Sequence, residues 1–543
     1  MKDVIEKKIE EVIKSLKIDD LSFSLEYPTD ISHGEWTTNI AMIAANKMGS
    51  SPRELAEKIV SEMGNIEGVE KVEIAGPGFI NFILTHEAII NSISIEGSGL
   101  YKGKKVIVEY TDPNPFKQFH IGHLMSNAVG QTISNLYESQ GAEVKRLSYG
   151  GDVGLHVAKA IWGKIDLNNG DSIEEWGNAY THGSNAYEDN KKEEIDDLNK
   201  VIFEYVANGV DFENSKLYKE GKEISQKHFE EIYEILGTKF DKEYFESGVV
   251  NRGVKIVNES NIFEESDGAI VFKADEYDEK LHTRVFINSK GVPTYETKEL
   301  GLAYQKAEDF QYDQSVVVTA SEQLEYFKVV MKALGILNKD ISEKTIHITH
   351  GMMRFADGKM SSRKGNIITG ESLLFDLIEE VKKKMEGRDV KDSEKISQQV
   401  AVAALKFSIL KQAPGKNIIF DPKDALSLEG DSGPYIQYTY TRAKRLIEKS
   451  DVKPCFDSSL DILDIEKILM KFNTTIDRAY LELAPQYIAT YLLILAHGFN
   501  SFYQSDQIIG GDNEGHNIAI VEKVSEVIKK GLEILGIEVP EEM

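Results

Sequence analysis

Hydrophobic and polar residues follow a strand–helix–strand pattern near the first quarter of the chain. Residues 106–110 form a short apolar run that predicts a buried parallel strand. A helical pattern follows from about 123 to 140 and stops at Gly141, and residues 144–148 predict a second strand. Residues 116–124 therefore lie where a strand ends and a helix begins. Ligands bind at such positions in doubly wound sheets.

The same pattern returns in a second half. Residues 295–308 predict a helix, 314–319 and 345–350 predict buried strands, and Gln323 begins the helix after the first of them. Between the halves, residues 165–250 are polar and helical, and 254–288 alternate as strands with a hairpin. We interpret the interval of about 165–285 as insertions into a nucleotide-binding fold.

The two ends of the chain have different patterns. Residues 1–97 predict a small α/β domain, with a helix at 5–16, a helix that starts at Ser51-Pro52, and strands at 72–74 and 79–83. After about residue 394 the pattern is almost entirely helical, with helices at 400–410, 432–449, 462–479, 485–503 and 516–535. We therefore predict three domains: 1–97, an α/β domain over 98–392, and an all-α helical bundle over 393–543.

Composition and charge narrow the class of protein to which the chain can belong. The 543 residues are 41% hydrophobic, and no apolar run approaches the roughly 18 residues of a membrane span. The single cysteine, Cys455, excludes a disulfide framework and a cysteine-rich zinc site, and it fits a cytoplasmic location. The net charge of −27 disfavours a nucleic-acid partner. Because charge is a sum over the whole chain, a locally basic groove remains compatible with it.

Two loops carry candidate chemistry. Residues 149–154 place three glycines around Asp152 directly after a strand, which indicates either a loop against a ligand or a tight turn with a capping aspartate. Residues 357–365 contain three cations, two serines and two glycines, as in a loop that grips anions; an exposed basic turn is the alternative. His120 and His123 flank Gly122 at a predicted helix start, which suits close approach to a polyphosphate.

Together these residues resemble a class I aminoacyl-tRNA synthetase. His120-Ile121-Gly122-His123 matches the HIGH signature of that class, and Lys359-Met360-Ser361-Ser362-Arg363 resembles its KMSKS signature. The resemblance implies a Rossmann-type catalytic domain that uses ATP with Mg²⁺. It assigns the ATP site to both signatures and catalysis to Lys117, His120, His123 and Lys359.

Within that class the chain is most similar to the arginyl enzymes. The similar segments are 109–110, 112–114 and Lys117, the loop 151–154, Tyr295 with an acid four residues later, Gln323, the N-terminal segment 75–82 and the ending 531–543. Three positions depart from the family. In the KMSKS signature, Ser362 stands in place of the second lysine and Arg363 in place of the final serine. Lys117 is expected to compensate for the missing lysine. Glu299 stands where the family usually has aspartate.

The resemblance implies a two-step reaction. The carboxylate of L-arginine attacks the α-phosphate of ATP, pyrophosphate leaves, and the arginyl group passes to the terminal ribose of its tRNA. It also implies that bound tRNA is needed for activation. A guanidinium is best held by carboxylates, so the arginine-binding candidates are Glu109, Asn114, Tyr295, Glu299 and Gln323. Taken alone, Glu299 would more often be a surface carboxylate of a helix, and the family resemblance favours the pocket.

The tRNA-binding candidates are aromatic and polar residues at both ends of the chain. Aromatic rings stack on bases and cations contact phosphate. The candidates are Phe79, Asn81, Phe82, Tyr435, Tyr438, Arg442, Phe499, Asn500, Tyr503 and Met543. The alternative for these aromatics is packing in the domain cores. No protein metal site is expected, and the enzyme is expected to be a monomer.

Three other functions share some of these sequence features. A class I lysyl enzyme would activate lysine, which the pair Tyr295 and Glu299 and the N-terminal domain argue against. A nucleotidyltransferase that activates a small acid without tRNA would leave both end domains without a role. A catalytically silent tRNA-binding relative would not need the intact His120, Gly122, His123 and Lys359.

Overall fold

The computed structural model describes residues 1–18, 21–28, 30, 33–356, 368–387 and 391–543. The chain divides into two compact units. The first contains residues 1–95, 442–474 and 494–527, and the second contains 96–441, 475–493 and 528–543. Among the described residues, no helix is both long and apolar enough to cross a membrane.

The N-terminal part of the first unit is a small α/β domain, as predicted. Its antiparallel sheet has the strand order β1-β2-β4-β3. Helix α1 buries Ile5, Ile9, Val12 and Ile13, which recur on one face at helical spacing. The elements are α1 Lys2–Ser15, β1 Leu25–Glu26, β2 Trp36–Thr38, α2 Ile40–Met48, α3 Pro52–Met63, β3 Val69–Ala75, β4 Phe79–Leu84 and α4 His86–Asn91.

The second unit is built on a five-stranded parallel sheet with the order β12-β11-β5-β6-β7. Its elements are β5 Lys105–Glu109, α5 Ile121–Ser139, β6 Glu143–Gly150, α6 Leu155–Leu167, α7 Ile173–Asp189, α8 Lys192–Asn208, α9 Ser215–Ile235, β7 Lys242–Phe245, α10 Glu246–Glu259, β8 Glu264–Ser266, β9 Ala269–Phe272, β10 Arg284–Ile287, α11 Tyr295–Asp309, β11 Gln314–Ala320, α12 Leu324–Leu337, α13 Lys339–Glu343, β12 Thr345–His350, β13 Met353–Phe355 and α14 Gly370–Met385.

This strand order is that of a Rossmann-type fold. The chain runs outward from β5 to β6 and β7, then returns to β11 on the other side of β5. The strand order therefore reverses between β5 and β11, and the carboxyl ends of these two strands form the topological switch point where ligands bind in such sheets.

The interval of about 165–285 is not wholly an insertion. β7 pairs in parallel with β6 and completes the central sheet, and α10 extends through residues that were expected to form strands. A β8–β9 hairpin is present. Its two-residue turn, Asp267-Gly268, has positive φ at both positions, as the tight turn of a hairpin requires. β7 was missed because it is only four residues long and lies directly before a helix.

The C-terminal part is helical, as predicted. The expected helix over 462–479 is two helices, and a short strand, β14, pairs with β13. The elements are α15 Ser393–Leu410, β14 Ile418–Phe420, α16 Pro422–Ala425, α17 Gly433–Lys449, α18 Asp464–Leu469, α19 Phe472–Leu481, α20 Gln486–Ser505 and α21 Glu514–Ile534.

Gly130 allows α5 to pack on the residue that follows β5. A Cβ at this position would lie 2.2 Å from both Cβ and Cγ of the buried Tyr110. We expect Gly130→Ala to destabilise the second unit by roughly 1–3 kcal/mol, because neither backbone can yield. The midpoint of thermal unfolding measures this loss.

The matched control is Gly248→Ala in α10, where no heavy atom lies within 4 Å of the added Cβ. Alanine favours a helix over glycine by roughly 1 kcal/mol or less, so this variant should be neutral or slightly more stable. Equal losses in the two variants would contradict the packing account of Gly130.

Candidate active site

His120 and His123 lie at the start of α5. His120 is the N-cap residue, and its backbone N–H donates to Nδ1 of His123 at 3.2 Å. The two rings stack with centroids 3.4 Å apart. Because Nδ1 of His123 accepts a hydrogen bond, the neutral ring carries its proton on Nε2. That Nε2–H is a donor suited to a phosphate oxygen.

Both imidazoles are neutral at physiological pH. Burial, followed by the nearby Lys117 and His350, lowers the pKa of His120 to about 4. Burial and the neighbouring His120 lower the pKa of His123 well below its ordinary value. Two neutral rings can donate hydrogen bonds but provide no fixed positive charge.

The segment before α5 approaches the start of α14 closely. The backbone N–H groups of Gly370 and Glu371 donate to the carbonyl of Phe119 at 2.8 and 3.2 Å. A Cβ at Gly370 would lie 2.6 Å from the carbonyl oxygen of His120, so a larger residue could not occupy this position without displacing the His120 backbone. The Glu371 carboxylate also accepts from Gln118 at 3.0 Å.

Lys117 lies beside the two histidines and is half-buried. Its Nζ is 4.1 Å from the centroid of the Tyr180 ring in α7. Burial lowers the pKa of Lys117, while the neighbouring Tyr180 opposes that shift. An aromatic ring attracts a cation but does not neutralise its charge, so the Lys117 ammonium group can still bind an anion.

An acidic pocket lies at the switch point. Glu109 ends β5 and is buried, and its Oε2 accepts a hydrogen bond from Lys306 Nζ at 2.7 Å. Glu299, one turn into α11, is half-buried; burial and then the Glu109 charge raise its pKa to about 8. Asp112 has its pKa raised by burial and by Glu109, and its Oδ1 accepts from the Tyr149 backbone at 2.8 Å. Three mutually repelling carboxyl groups therefore share one lysine.

The other arginine-binding candidates surround this region. The Asn114 Oδ1 accepts from the Gly151 backbone at 2.9 Å, so its amide N–H₂ is the group left for a ligand among the described contacts. Tyr295, the first residue of α11, is 53% exposed, and the Lys298 Nζ lies 4.4 Å from its ring centroid. Gln323 is exposed in a short turn after β11, the strand that pairs with β5.

The structure thus links Glu109, Glu299 and Asp112 through Lys306, and links His120, His123 and Lys117. No described contact joins Tyr295 or Gln323 to these groups. The sequence interpretation missed Lys306 and Asp112. Lys306 lies seven residues after Glu299, so both point from one face of a helix, and that spacing was a usable signal.

Asp152 is not a ligand candidate. It is fully buried and accepts hydrogen bonds from Lys222 Nζ at 2.7 Å, the Ser247 hydroxyl at 2.6 Å and the Tyr218 hydroxyl at 3.2 Å. Its Oδ1 also accepts the Ser247 backbone N–H at 2.8 Å, in the first turn of α10. Asp152 therefore has a structural role, which is the second of the two interpretations given above for loop 149–154.

The second signature, Lys359, Met360, Ser361, Ser362 and Arg363, lies outside the described residues. Its place in the site therefore rests on the sequence resemblance.

The N-terminal candidates for tRNA contact differ in exposure. Phe79 is 38% exposed on β4. Phe82 is fully buried in the domain core, and Asn81 is buried and accepts from the Thr37 hydroxyl at 2.6 Å. Phe82 therefore cannot stack on a base in this conformation, and of these three residues only Phe79 presents a ring to solvent.

Three C-terminal candidates form one cluster in the first unit. Arg442 donates to the Asn500 Oδ1 at 2.7 Å, and its guanidinium carbon lies 5.2 Å from the centroid of the exposed Tyr503 ring. Phe499 is fully buried and supports this cluster from the core. In the second unit, Tyr435 is buried, whereas Tyr438 and Met543 are half-buried.

One group in the described residues could hold a metal ion by its spacing: His86, Glu466 and His516, in the first unit. His86 Nδ1 donates to the Leu460 carbonyl at 2.9 Å, and its Nε2 lies 2.8 Å from Glu466 Oε1. His516 Nδ1 accepts the Asp457 backbone N–H at 3.1 Å, which puts the proton of its neutral ring on Nε2. His86 therefore has the tautomer of a metal ligand, whereas His516 offers no lone pair on Nε2, so the group as described presents two ligand atoms and not three.

Comparisons with known proteins cover the whole chain. Residues 86–422 match the family described as "tRNA synthetases class I (R), catalytic domain", residues 3–84 match "Arginyl tRNA synthetase N terminal domain", and residues 436–543 match "DALR anticodon binding domain". The arginine–tRNA ligases of Clostridium botulinum (strain Alaska E43) and Clostridium acetobutylicum are each 31% identical, over 99% and 100% of both chains.

Solved structures have the same fold. The arginyl-tRNA synthetase of Thermus thermophilus superposes with a TM-score of 0.84 at 21% identity, and covers 100% of both chains. The arginyl-tRNA synthetase of Plasmodium falciparum superposes with a TM-score of 0.80 at 19% identity, over 100% of this chain and 99% of that one.

Proposed function

The chain belongs to the arginyl-tRNA synthetase family, and we infer that it ligates L-arginine to tRNA using ATP. The observation that carries this inference is the acidic pocket of Glu109 and Glu299 at the switch point, in the same unit as the His120–His123 pair. Anionic groups for a guanidinium and hydrogen-bond donors for a polyphosphate are the two halves of an arginine-activating site.

In the first step the arginine carboxylate attacks the α-phosphate of ATP and pyrophosphate leaves. Glu109 and Glu299 hold the guanidinium, with Tyr295 beside it. The amides of Asn114 and Gln323 hold the α-amino and carboxylate groups. This fixes the attacking oxygen, which is the main contribution a protein makes to phosphoryl-type chemistry.

His120 and His123 donate hydrogen bonds to phosphate oxygens of ATP. Lys117, with Lys359 and Arg363 of the second signature, stabilises the negative charge that develops on pyrophosphate. ATP enters as its Mg²⁺ complex, and the ion arrives with the nucleotide.

In the second step a ribose hydroxyl of the terminal adenosine of tRNA attacks the arginyl carbonyl, and AMP leaves. Support for tRNA contact comes from the exposed ring of Phe79 and from the cluster of Arg442, Asn500 and Tyr503, where an aromatic face and a cation lie together. We place the enzyme in the cytoplasm as a monomer.

Charging of tRNA tests this function. Purified protein, ATP, Mg²⁺ and total tRNA should transfer labelled arginine to acid-precipitable tRNA, and one AMP should form per arginine transferred. Labelled lysine should not be transferred. Transfer of lysine in place of arginine would overturn the proposal.

The affinity for arginine should depend on pH. Since the pKa of Glu299 is raised to about 8, most of its carboxyl groups are protonated at pH 6.5, and the ionised form binds the guanidinium. The KM for arginine should therefore fall by up to tenfold per pH unit between pH 6 and 7.5 and level off above pH 8. His120 titrates near pH 4, outside this window.

Initial rates at varied arginine, measured at each pH with saturating ATP and tRNA, give this profile. Glu299→Gln removes the titrating group and is the control, so its KM for arginine should be nearly independent of pH. An equally steep profile in this variant would assign the pH dependence to another group.

A further inference from the structure

Lys306 is a buried cation inside a pocket that must accept a cation. Its side chain is 5% exposed, and that of its partner Glu109 is 3% exposed. The distance from Lys306 Nζ to Glu109 Oε2 is 2.7 Å. One oxygen of this predicted guanidinium acceptor therefore already accepts a hydrogen bond from the protein, which leaves Oε1 as the better placed oxygen for a substrate.

The same ammonium group acts on the other two carboxyl groups. Glu299 lies two turns earlier on α11, and both side chains line one small cavity with Tyr312 and Phe327. The positive charge of Lys306 opposes the upward pKa shifts of both Glu299 and Asp112. Lys306 is therefore shared by all three acids.

The charged side chains around the predicted arginine pocket can be counted. The neighbouring Glu246 has its own partner, Lys298, at 2.6 Å, so that pair adds no net charge. Burial and the Glu109 charge raise the pKa of Asp112, so Glu109 and Glu299 are the two acids considered against the single charge of Lys306. When Glu299 ionises as arginine binds, these three groups together carry one net negative charge, which matches the one positive charge of a guanidinium.

We propose that Lys306 is a positioning residue that sets the specificity of the arginine pocket. It fixes the Glu109 carboxylate through Oε2, directs Oε1 toward the substrate, and limits the pocket to one uncompensated negative charge. A planar guanidinium can bridge Glu109 Oε1 and Glu299, which stand on different elements, β5 and α11. This inference rests on the proposed function.

The alternative is that Lys306 and Glu109 form only a structural ion pair that joins α11 to β5. A purely structural pair would cost stability when it is broken, since one charge would remain buried without a partner. It would leave the KM for arginine and its pH dependence unchanged in the protein that folds. These two readouts separate the interpretations.

The experiment compares Lys306→Met with Lys306→Arg, which keeps the charge. We expect Lys306→Met to raise the KM for arginine at least tenfold at pH 7.5, with the KM for ATP unchanged and kcat within about threefold. The pH at which the KM levels off should move upward, because the cation that favours ionised Glu299 is gone. Lys306→Arg should restore most of the affinity and the original profile.

Lys406→Met is the matched control. Lys406 is another buried lysine of the second unit, and its Nζ donates to Gln131 Oε1, the Leu236 carbonyl and the Gly536 carbonyl. Its loss should lower the thermal-unfolding midpoint without changing the KM for arginine. A wild-type KM and pH profile in Lys306→Met, with only a loss of stability, would overturn the proposal.

A double variant covers the case in which Lys306→Met does not fold. Glu109→Gln with Lys306→Met replaces the ion pair by neutral groups of similar volume, which buried sites tolerate better than an unpaired charge. We expect it to fold and to lose arginine affinity at least tenfold. Retained affinity would overturn the role of the pair. If instead the wild-type enzyme fails to activate arginine, the proposed function itself is wrong.

Discussion

Replacing Glu299 by glutamine should lower kcat/KM for arginine by roughly 10²–10³-fold, as expected when one partner of a desolvated, hydrogen-bonded charge pair is removed. Glu299 is half-buried, and burial with the Glu109 charge raises its pKa. Its carboxyl group is therefore poorly solvated and lies near another negative charge. The guanidinium of bound arginine supplies the charge that this site lacks. Steady-state ATP–pyrophosphate exchange in the presence of tRNA measures the loss.

The loss should reside mainly in the KM for arginine, and the KM for ATP should stay within about threefold. Glu308→Gln is the matched control, because Glu308 is on the same helix but its carboxylate is exposed and pairs with Arg252. This control should match the wild type. A Glu299→Gln enzyme with an unchanged KM for arginine would remove Glu299 from the pocket.

Replacing Lys117 by methionine should lower the rate of arginine activation by roughly 10²–10³-fold, the usual effect of removing one group that stabilises transition-state charge. Lys117 precedes the two histidines, and the second signature has Ser362 where the family has a lysine. The ring of Tyr180 holds the ammonium group at this site. Single-turnover formation of arginyl-adenylate, or exchange at saturating substrates, measures kcat directly.

Lys159→Met is the control for Lys117. Its Nζ also lies over a tyrosine ring, that of Tyr187 at 4.3 Å, but it is not part of the segment that starts α5. The rate in this variant should stay within about threefold of the wild type. Lys117→Arg should recover part of the lost rate. A fall in the affinity for arginine with no change in kcat would contradict the charge-stabilising role.

The periodicity of the sequence was sufficient for most of the fold. β5, α5, β6, β11 and β12 each have a clear apolar run or helical face, and all appear within a few residues of the prediction. β7 did not, because a strand of four residues carries too little pattern to be distinguished from a loop. Its assignment depends on pairing with β6, which is a long-range property.

The candidate site was predictable in part. The residues with a sequence signature lie where they were predicted, Glu109 at the end of β5 and His120 and His123 at the start of α5. Asp112 lies in a segment similar to the family but was given no role. Lys306 had only its helical spacing from Glu299 as a signal, because a buried ion pair depends on the distance between two elements far apart in the chain. Glu109 was therefore predicted as a free acceptor, whereas one of its oxygens is bonded.

The aromatic tRNA candidates illustrate a different limit. Phe79 and Phe82 lie three residues apart on one strand, so they point to opposite faces, and only one can be exposed. Phe499 and Tyr503 lie four residues apart on α20, nearly on one face, yet Phe499 is fully buried and Tyr503 is 44% exposed. Composition identified the aromatic segments, but which ring packs in the core depends on the tertiary structure.

The central claim, that the acidic pocket at the switch point selects arginine, is tested most directly by ATP–pyrophosphate exchange with arginine and with lysine, each with and without tRNA. We predict exchange with arginine when tRNA is present and none above background with lysine under either condition. The tRNA-free arm with arginine alone is not decisive, since bound tRNA is expected to be needed for activation. Exchange that depends on lysine and is absent with arginine would contradict the account.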